Sequence, residues 1–333
     1  MAKIVDSFLF FQELDLLEIR LEYLYHKVDK FIILESCQTF TGKPKPFNFE
    51  NNKDRFKKYE GKIIYFKIED SHNSYDSVIQ FLINKKDEAH GRVLDILKAH
   101  KHYPKSGLNW VLDTYHRECL HIAYNKYLND DDIVFLSDLD EIPTYTIFDN
   151  EELLTNNKPV VCRQHEFMYF LNYYNNSNWL GTIFSKYSAI KNISLNNLKI
   201  DSKVTRNIVD KQEYKDGGYH FTSIGSIEDI TRKIQSWGHQ EFNTQGILDR
   251  LDYNISTGQD IFEREYGTKM KKIEFMDTKI FDEKISNIIY KYNELIAKNN
   301  IIAVSKYSVY NLIRKFKSKF RGFIYRFKTA NSK

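Results

Sequence analysis

The residues best suited to chemistry lie in the run Ser137-Asp138-Leu139-Asp140-Glu141-Ile142-Pro143. Two carboxylates at i and i+2, held where a strand ends, can share a divalent cation such as Mn2+ or Mg2+, and that cation could neutralise a diphosphate. The same string admits a second chemistry. A haloacid-dehalogenase-type phosphatase would use Asp138 as nucleophile and Asp140 as acid, although Ile142 stands where that pattern has Thr or Val. His220 follows Gly217-Gly218-Tyr219, whose glycines permit close backbone approach, and His239 precedes Gln240-Glu241-Phe242. Glu241 and Asp260 are nearby carboxylates that could act as general base. Arg117, on a helical stretch ahead of the acidic run, could meet a phosphate or pair with Asp113 or Glu118. The loop Thr41-Gly42-Lys43-Pro44-Lys45-Pro46 is basic and could approach a nucleotide, but it lacks the glycine spacing of a P-loop.

Such residues act together only if the fold brings them to one edge of a sheet. Lys3–Phe10, Lys30–Glu35, Lys62–Ile68 and Asp131–Leu136 are short apolar runs, and helical periodicity marks Glu13–Tyr25, Ser77–Ala99 and Leu112–Leu128 between them. Strands separated by helices predict an α/β fold, a mostly parallel sheet with helices on its faces. Asp138 and Asp140 then fall just past the carboxyl end of a strand, where open α/β sheets bind ligands. In the second half, Pro159–Tyr174 and Trp179–Tyr187 read as antiparallel strands and Gly217–Ile224 as another. Ile227–Trp237, Gln245–Ile255 and Phe281–Ala297 read as helices. With no Pro- or Gly-rich linker, one domain over 1–300 is expected, followed by a tail over 301–333.

The chain has 333 residues, 49 Lys+Arg against 45 Asp+Glu, 42% apolar and 15% aromatic, which excludes a disordered, collagenous or disulfide-framework protein. Ten positive charges and no acid lie in Leu295–Lys333, so the first 294 residues hold 39 Lys+Arg against 45 Asp+Glu, a formal −6. Within the tail, Val309, Leu312, Ile313, Phe316, Phe320, Phe323, Ile324 and Phe327 form a helical stripe among seven Lys and Arg. This predicts a basic amphipathic C-terminal helix suited to an anionic membrane surface. The acidic body gives no reason to expect nucleic acid. Neither a signal-peptide pattern nor an uninterrupted apolar span appears, and three scattered cysteines suit a reducing compartment. The expected location is cytoplasmic, peripheral on the inner face of a membrane.

Six blocks in order resemble glycosyltransferase family 17, the β-1,4-mannosyl-glycoprotein β-1,4-N-acetylglucosaminyltransferase family. They are residues 6–21, Val28-Asp29-Lys30-Phe31-Ile32-Ile33-Leu34-Glu35-Ser36, Phe40–Pro46, Ser137–Pro143, Gly217-Gly218-Tyr219-His220-Phe221 and His239-Gln240-Glu241-Phe242-Asn243. The resemblance implies a GT-A fold with a Rossmann-like sheet, a UDP-sugar donor (UDP-GlcNAc) and inversion at the anomeric carbon. It implies Asp138 and Asp140 as metal and nucleotide-sugar carboxylates and, by analogy with other GT-A enzymes, His220 as a further metal ligand. Glu35, Lys43 and Arg117 are then expected to contact the nucleotide, and Glu241, with Asp260 second, to deprotonate the acceptor. The expected partners are the donor, a glycan or lipid-linked glycan acceptor and the membrane surface. A phosphatase using Asp138 and a non-catalytic sugar-binding module are the alternatives.

Overall fold

Apolar runs facing both sides of the sheet build the first four long strands, buried in three of them and partly buried in the edge strand Ile63–Ile68. In β2 (Lys30–Ser36), successive side chains point to opposite faces. Phe31 and Ile33 therefore join the core cluster on one side of the sheet, and Ile32 and Leu34 join the cluster on the other. The same alternation runs through β1 (Ile4–Phe10), β3 (Ile63–Ile68) and β4 (Ile133–Asp138). Each fully buried Leu, Ile or Phe contributes roughly 1.5–3 kcal/mol, so both faces must stay covered. Helices Leu14–Leu24 and Glu283–Ile289 cover one face. Helices Tyr75–Asn84, Glu88–Ala99, Leu108–Glu118 and Leu120–Tyr127 cover the other.

The computed structural model describes residues 2–298 except His102, 205–209, 263–269, Met276 and Thr278, with the backbone alone at 200–204. The predicted tail helix over 301–333 lies outside the described residues. Within them the sheet is mixed, in the order β3-β2-β1-β4-β7-β6-β9-β5. Its first four strands are parallel, and β7 (Tyr173–Lys186) then runs antiparallel to both β4 and β6 (Val160–Met168). The short β5 (Glu141–Pro143) pairs antiparallel with β9 (Gly218–Thr222), setting Glu141 opposite His220. On its other side β9 runs parallel to β6 and sets His220 beside Glu166. Two further short strands, β8 (Gln212–Tyr214) and β10 (Lys271–Lys272), pair with β6 and β7. The α/β expectation holds, with a Rossmann-like parallel half joined to an antiparallel one.

Some expected helices are divided. The predicted helix over Ser77–Ala99 is two, because Asp87 breaks out to cap the second through His90 N (3.1 Å). Similarly, Cys119 separates helices Leu108–Glu118 and Leu120–Tyr127. Among the described residues no helix is long and apolar enough to cross a membrane.

Candidate active site

The carboxyl ends of β1, β2 and β4 open into a cavity of about 910 Å³. Asp138 is the last residue of β4, and Leu139-Asp140 makes the turn into β5. One buried side chain holds that turn from beneath. Arg20, on helix Leu14–Leu24, forms a bidentate pair with Asp6 inside β1 (Nε–Oδ2 2.7 Å, Nη2–Oδ1 2.6 Å). Its remaining N–H groups donate to Ser137 Oγ at 3.0 Å and to the carbonyls of Asp138, Leu139 and Glu141 at 3.1, 3.1 and 2.7 Å. Phe221 N adds a bond to the Asp140 carbonyl at 2.8 Å. The acidic turn is thus fixed from a strand, a helix and a neighbouring strand.

Cations meet each carboxylate of the turn. Arg117 Nη1 lies 2.6 Å from Asp138 Oδ1, with Asp113 on its other amine at 3.3 Å. Burial works against the charge on Arg117, but Asp138 and Asp113 outweigh it and hold the guanidinium protonated above its ordinary range. Lys199 pairs with Glu141 and lies 3.8 Å from Asp138 Oδ2. Lys233 Nζ sits 2.9 Å from Asp140 Oδ2 and 3.5 Å from Glu13. Burial again opposes the charge on Asp140, yet Lys233 and then His220 hold its carboxyl below the usual range.

His220 enters from β9. Its ring stacks on Trp179 with centroids 4.0 Å apart, and its Nε2 is 3.8 Å from Asp140 Oδ1. Its Nδ1 is buried without a hydrogen-bond partner, 3.5 Å from Glu166 Oε1. Glu166 is itself held by Asn175 and Asn176. Two carboxylates and an imidazole suit Mn2+ or Mg2+ in donor type. Among the described residues, however, no three His, Cys, Asp or Glu side chains converge as a preformed metal cage, because Asp138 is turned to Arg117 and Lys199. Asp140 and His220 remain as a facing pair. A site with one or two protein donors is the kind Mg2+ uses when substrate phosphates complete its shell.

The structure brings Asp138, Asp140, Arg117, His220 and Glu241 to this cavity and leaves three predicted residues off its wall. Glu35 is fully buried and committed elsewhere: its carboxylate accepts from Lys45 Nζ (2.7 Å), Tyr65 Oη (2.8 Å) and the backbone N–H groups of Asn48 (2.6 Å) and Phe49 (3.0 Å). It anchors the 39–49 segment from within the protein. Lys43 is exposed at the outside of that loop, and Lys45 takes its place on the cavity wall. Asp260 is buried and absent from the wall, with Oδ1 accepting from Phe262 N at 3.0 Å. Glu241 sits at the rim, its side chain 54% exposed, 2.7 Å from His239 Nδ1. Lys199, Lys233, Glu166, Trp179 and Asp113 line the cavity without having been singled out as site residues from the sequence. Burial pushes the Asp113 carboxyl up, against the pull of Arg117.

Three comparisons with known proteins bear on this geometry. No curated protein matches the chain. Solved structures overlap it loosely. One is 4-diphosphocytidyl-2C-methyl-D-erythritol synthase from Anaerococcus prevotii DSM 20548 (14% identity, TM-score 0.33, 72% of this chain and 99% of that one). Another is the inositol-1-phosphate CTP transferase from T. maritima (9%, 0.32, 78% and 98%). A third is mouse xyloside xylosyltransferase 1 (9%, 0.28, 65% and 78%). Likenesses this loose define neither fold nor chemistry for this chain. The family model of glycosyltransferase family 17 matches residues 1–101, the segment that contributes β1 to β3 and Arg20. Over that segment the chain is similar to glycosyltransferase family 17.

Proposed function

We propose that the protein is an inverting, metal-dependent glycosyltransferase that moves a sugar, GlcNAc from UDP-GlcNAc, to a hydroxyl of a glycan or lipid-linked glycan. The observation that carries this reading is the interleaving of Asp138 and Asp140 with Arg117, Lys199 and Lys233 at the strand ends of the cavity. A diphosphate needs both kinds of group: cations on its oxygens and carboxylates for the metal that shares its charge. Asp140 and His220 would hold a Mn2+ or Mg2+ ion, joined by Asp138 once Arg117 turns to phosphate, and that ion would supply Lewis-acid stabilisation of the departing UDP. Arg117, Lys199 and Lys233 then exchange carboxylate partners for phosphate oxygens. Contacts of this kind are charge-assisted and suit the negative charge of a departing diphosphate.

At the rim, Glu241 accepts the proton of the acceptor hydroxyl as that oxygen bonds to C1 of the sugar and the C1–O bond to UDP breaks. His239, 2.7 Å away, orients the carboxylate. The basic tail over 301–333 would hold this enzyme on the inner face of an anionic membrane, close to a lipid-linked acceptor. Its deletion from residue 305 should abolish co-sedimentation with phosphatidylglycerol vesicles.

The test of the chemistry is thermal unfolding with UDP, with and without Mn2+, followed by sugar transfer. UDP should stabilise the chain only with the metal, and Asp140→Asn should lose both that response and transfer. Transfer undiminished in Asp140→Asn would overturn the metal assignment. Phosphomonoester hydrolysis through a phosphoaspartate at Asp138 would overturn the transferase itself.

A further inference from the structure

One stretch of the cavity wall is aromatic. Residues 236–242 and Trp110 place a group of rings there, beside the rim where Glu241 stands. Trp237 stacks on Phe262 with centroids 4.9 Å apart, and Phe242 packs on Phe262 at 4.8 Å. Trp110 meets His239 edge-on at 4.6 Å. Trp110, Trp237 and Phe242 are only partly buried, so ring surface is left to the cavity.

Gly238 lets this wall close up. A Cβ there would lie 3.2 Å from Trp110 Cζ3 and 3.6 Å from Asp113 Oδ2, so the missing side chain allows the indole to lie against the backbone. Asn109 donates to the Gly238 carbonyl. The ring wall is therefore tied to helix Leu108–Glu118, which also carries Arg117.

The rings alternate with polar groups. The His239–Glu241 pair lies beside Trp237, and Asp113 lies beside the Gly238 and Trp110 contact. An acyl chain would be matched by an unbroken apolar wall. A pyranose offers what this wall complements, a C–H face for an aromatic ring and a rim of hydroxyls for neighbouring polar groups.

We infer that Trp110, Trp237 and Phe242 form a carbohydrate-stacking subsite that holds a pyranose unit of the acceptor, with His239 and Glu241 engaging its hydroxyls. This rests on the transferase reading above and adds to it that the acceptor is recognised as a sugar ring and not only as a hydroxyl on a lipid. The subsite places that ring at the cavity mouth, next to the proposed base.

The test uses the full chain on an array of immobilised oligosaccharides, with and without UDP and Mn2+. The variants are Trp110→Ala, Trp237→Ala and Trp237→Phe, each checked for native circular dichroism. At least one class of pyranose oligosaccharide should be retained. Its apparent affinity should fall about tenfold in either alanine variant, the loss of one aromatic contact, and by less than about threefold in Trp237→Phe. Because Trp110 and Trp237 lie on different elements, a folding defect in one leaves the other to decide. Retention of no oligosaccharide under either condition, or retention undiminished in a folded alanine variant, overturns the subsite. Thermal stabilisation of the unmutated chain by UDP and Mn2+ reports on the donor reading by itself, so glycan retention without that response would sink the transferase and spare the subsite.

Discussion

Replacing Arg20 should separate the fold's need for this residue from the site's. Its guanidinium is fully buried and satisfies both carboxylate oxygens of Asp6, Ser137 Oγ and three carbonyls of the acidic turn. Arg20→Met leaves the Asp6 carboxylate buried without its cation, a loss of about 3–5 kcal/mol. Against a typical total of about 5–15 kcal/mol, that is a large share. The turn also loses its donor at positions 138, 139 and 141, which should weaken UDP–Mn2+ binding by about 10–100-fold, the range for groups that orient metal ligands. Adding Asp6→Leu removes the stranded charge, so the double variant should regain most of the stability and none of the affinity. Urea unfolding followed by circular dichroism measures the first quantity, and calorimetric titration with UDP and Mn2+ the second. The reasoning fails if Arg20→Met unfolds at the urea midpoint of the unmutated chain, or if the double variant is no more stable than the single one. Native nucleotide affinity in the double variant would refute the positioning role while leaving the pairing intact.

Acid should destabilise the fold before it protonates ordinary carboxylates. Burial pushes His116 down to about 3 and His121 down to about 4, whereas in the unfolded chain both titrate near 6.5. As pH falls from 6.5 toward 4.5 the unfolded state takes up these two protons first, a loss of about 2.7 kcal/mol per pH unit. Glu118, raised by burial to about 7 from 4.5, works the other way over that window and returns about 1.4 kcal/mol per unit. A urea midpoint that stays flat from pH 6.5 to 4.5 would contradict the net loss. Gly218→Ala should cost about 2–6 kcal/mol, because φ is +125° there and the new Cβ would lie 2.2 Å from the Ile142 carbonyl. Gly61→Ala, with nothing within 4 Å, should stay within about 0.5 kcal/mol in the same denaturation assay.

The parallel strands were readable because strands buried on both faces appear as unbroken apolar runs such as Lys30-Phe31-Ile32-Ile33-Leu34-Glu35. The acidic turn was readable because it ends one of those runs. By contrast, β5, β8 and β10 span three, three and two residues, too short to show any periodicity. Lys199 and Lys233 escaped notice because a single lysine on a helix looks the same whether it faces solvent or a carboxylate 58 or 93 residues away. Arg20 did leave a signal. It shares a helical face with Leu17, Leu21 and Leu24, and a charge in an apolar stripe needs a buried partner, which Asp6 within β1 supplies. Glu35 misled for the opposite reason. A carboxylate at a strand's end suggests a ligand, yet its acceptor capacity is used up within the protein by Lys45, Tyr65 and two backbone amides.

The threading of β9 between β5 and β6 sets which changes this site can survive over evolutionary time. His220 reaches Asp140 and Glu166 because the pairing counts Gly218 against Pro143 and His220 against Glu141. Exchanging one side chain on that lattice alters a single contact and leaves the others in place. Losing or gaining one residue between Gly217 and His220 would instead bring Tyr219 or Phe221 opposite Glu141 and turn the imidazole to the opposite face. Substitutions along β9 therefore preserve the register that builds the site, whereas an insertion or deletion preserves it only in the loops beyond the strand's ends.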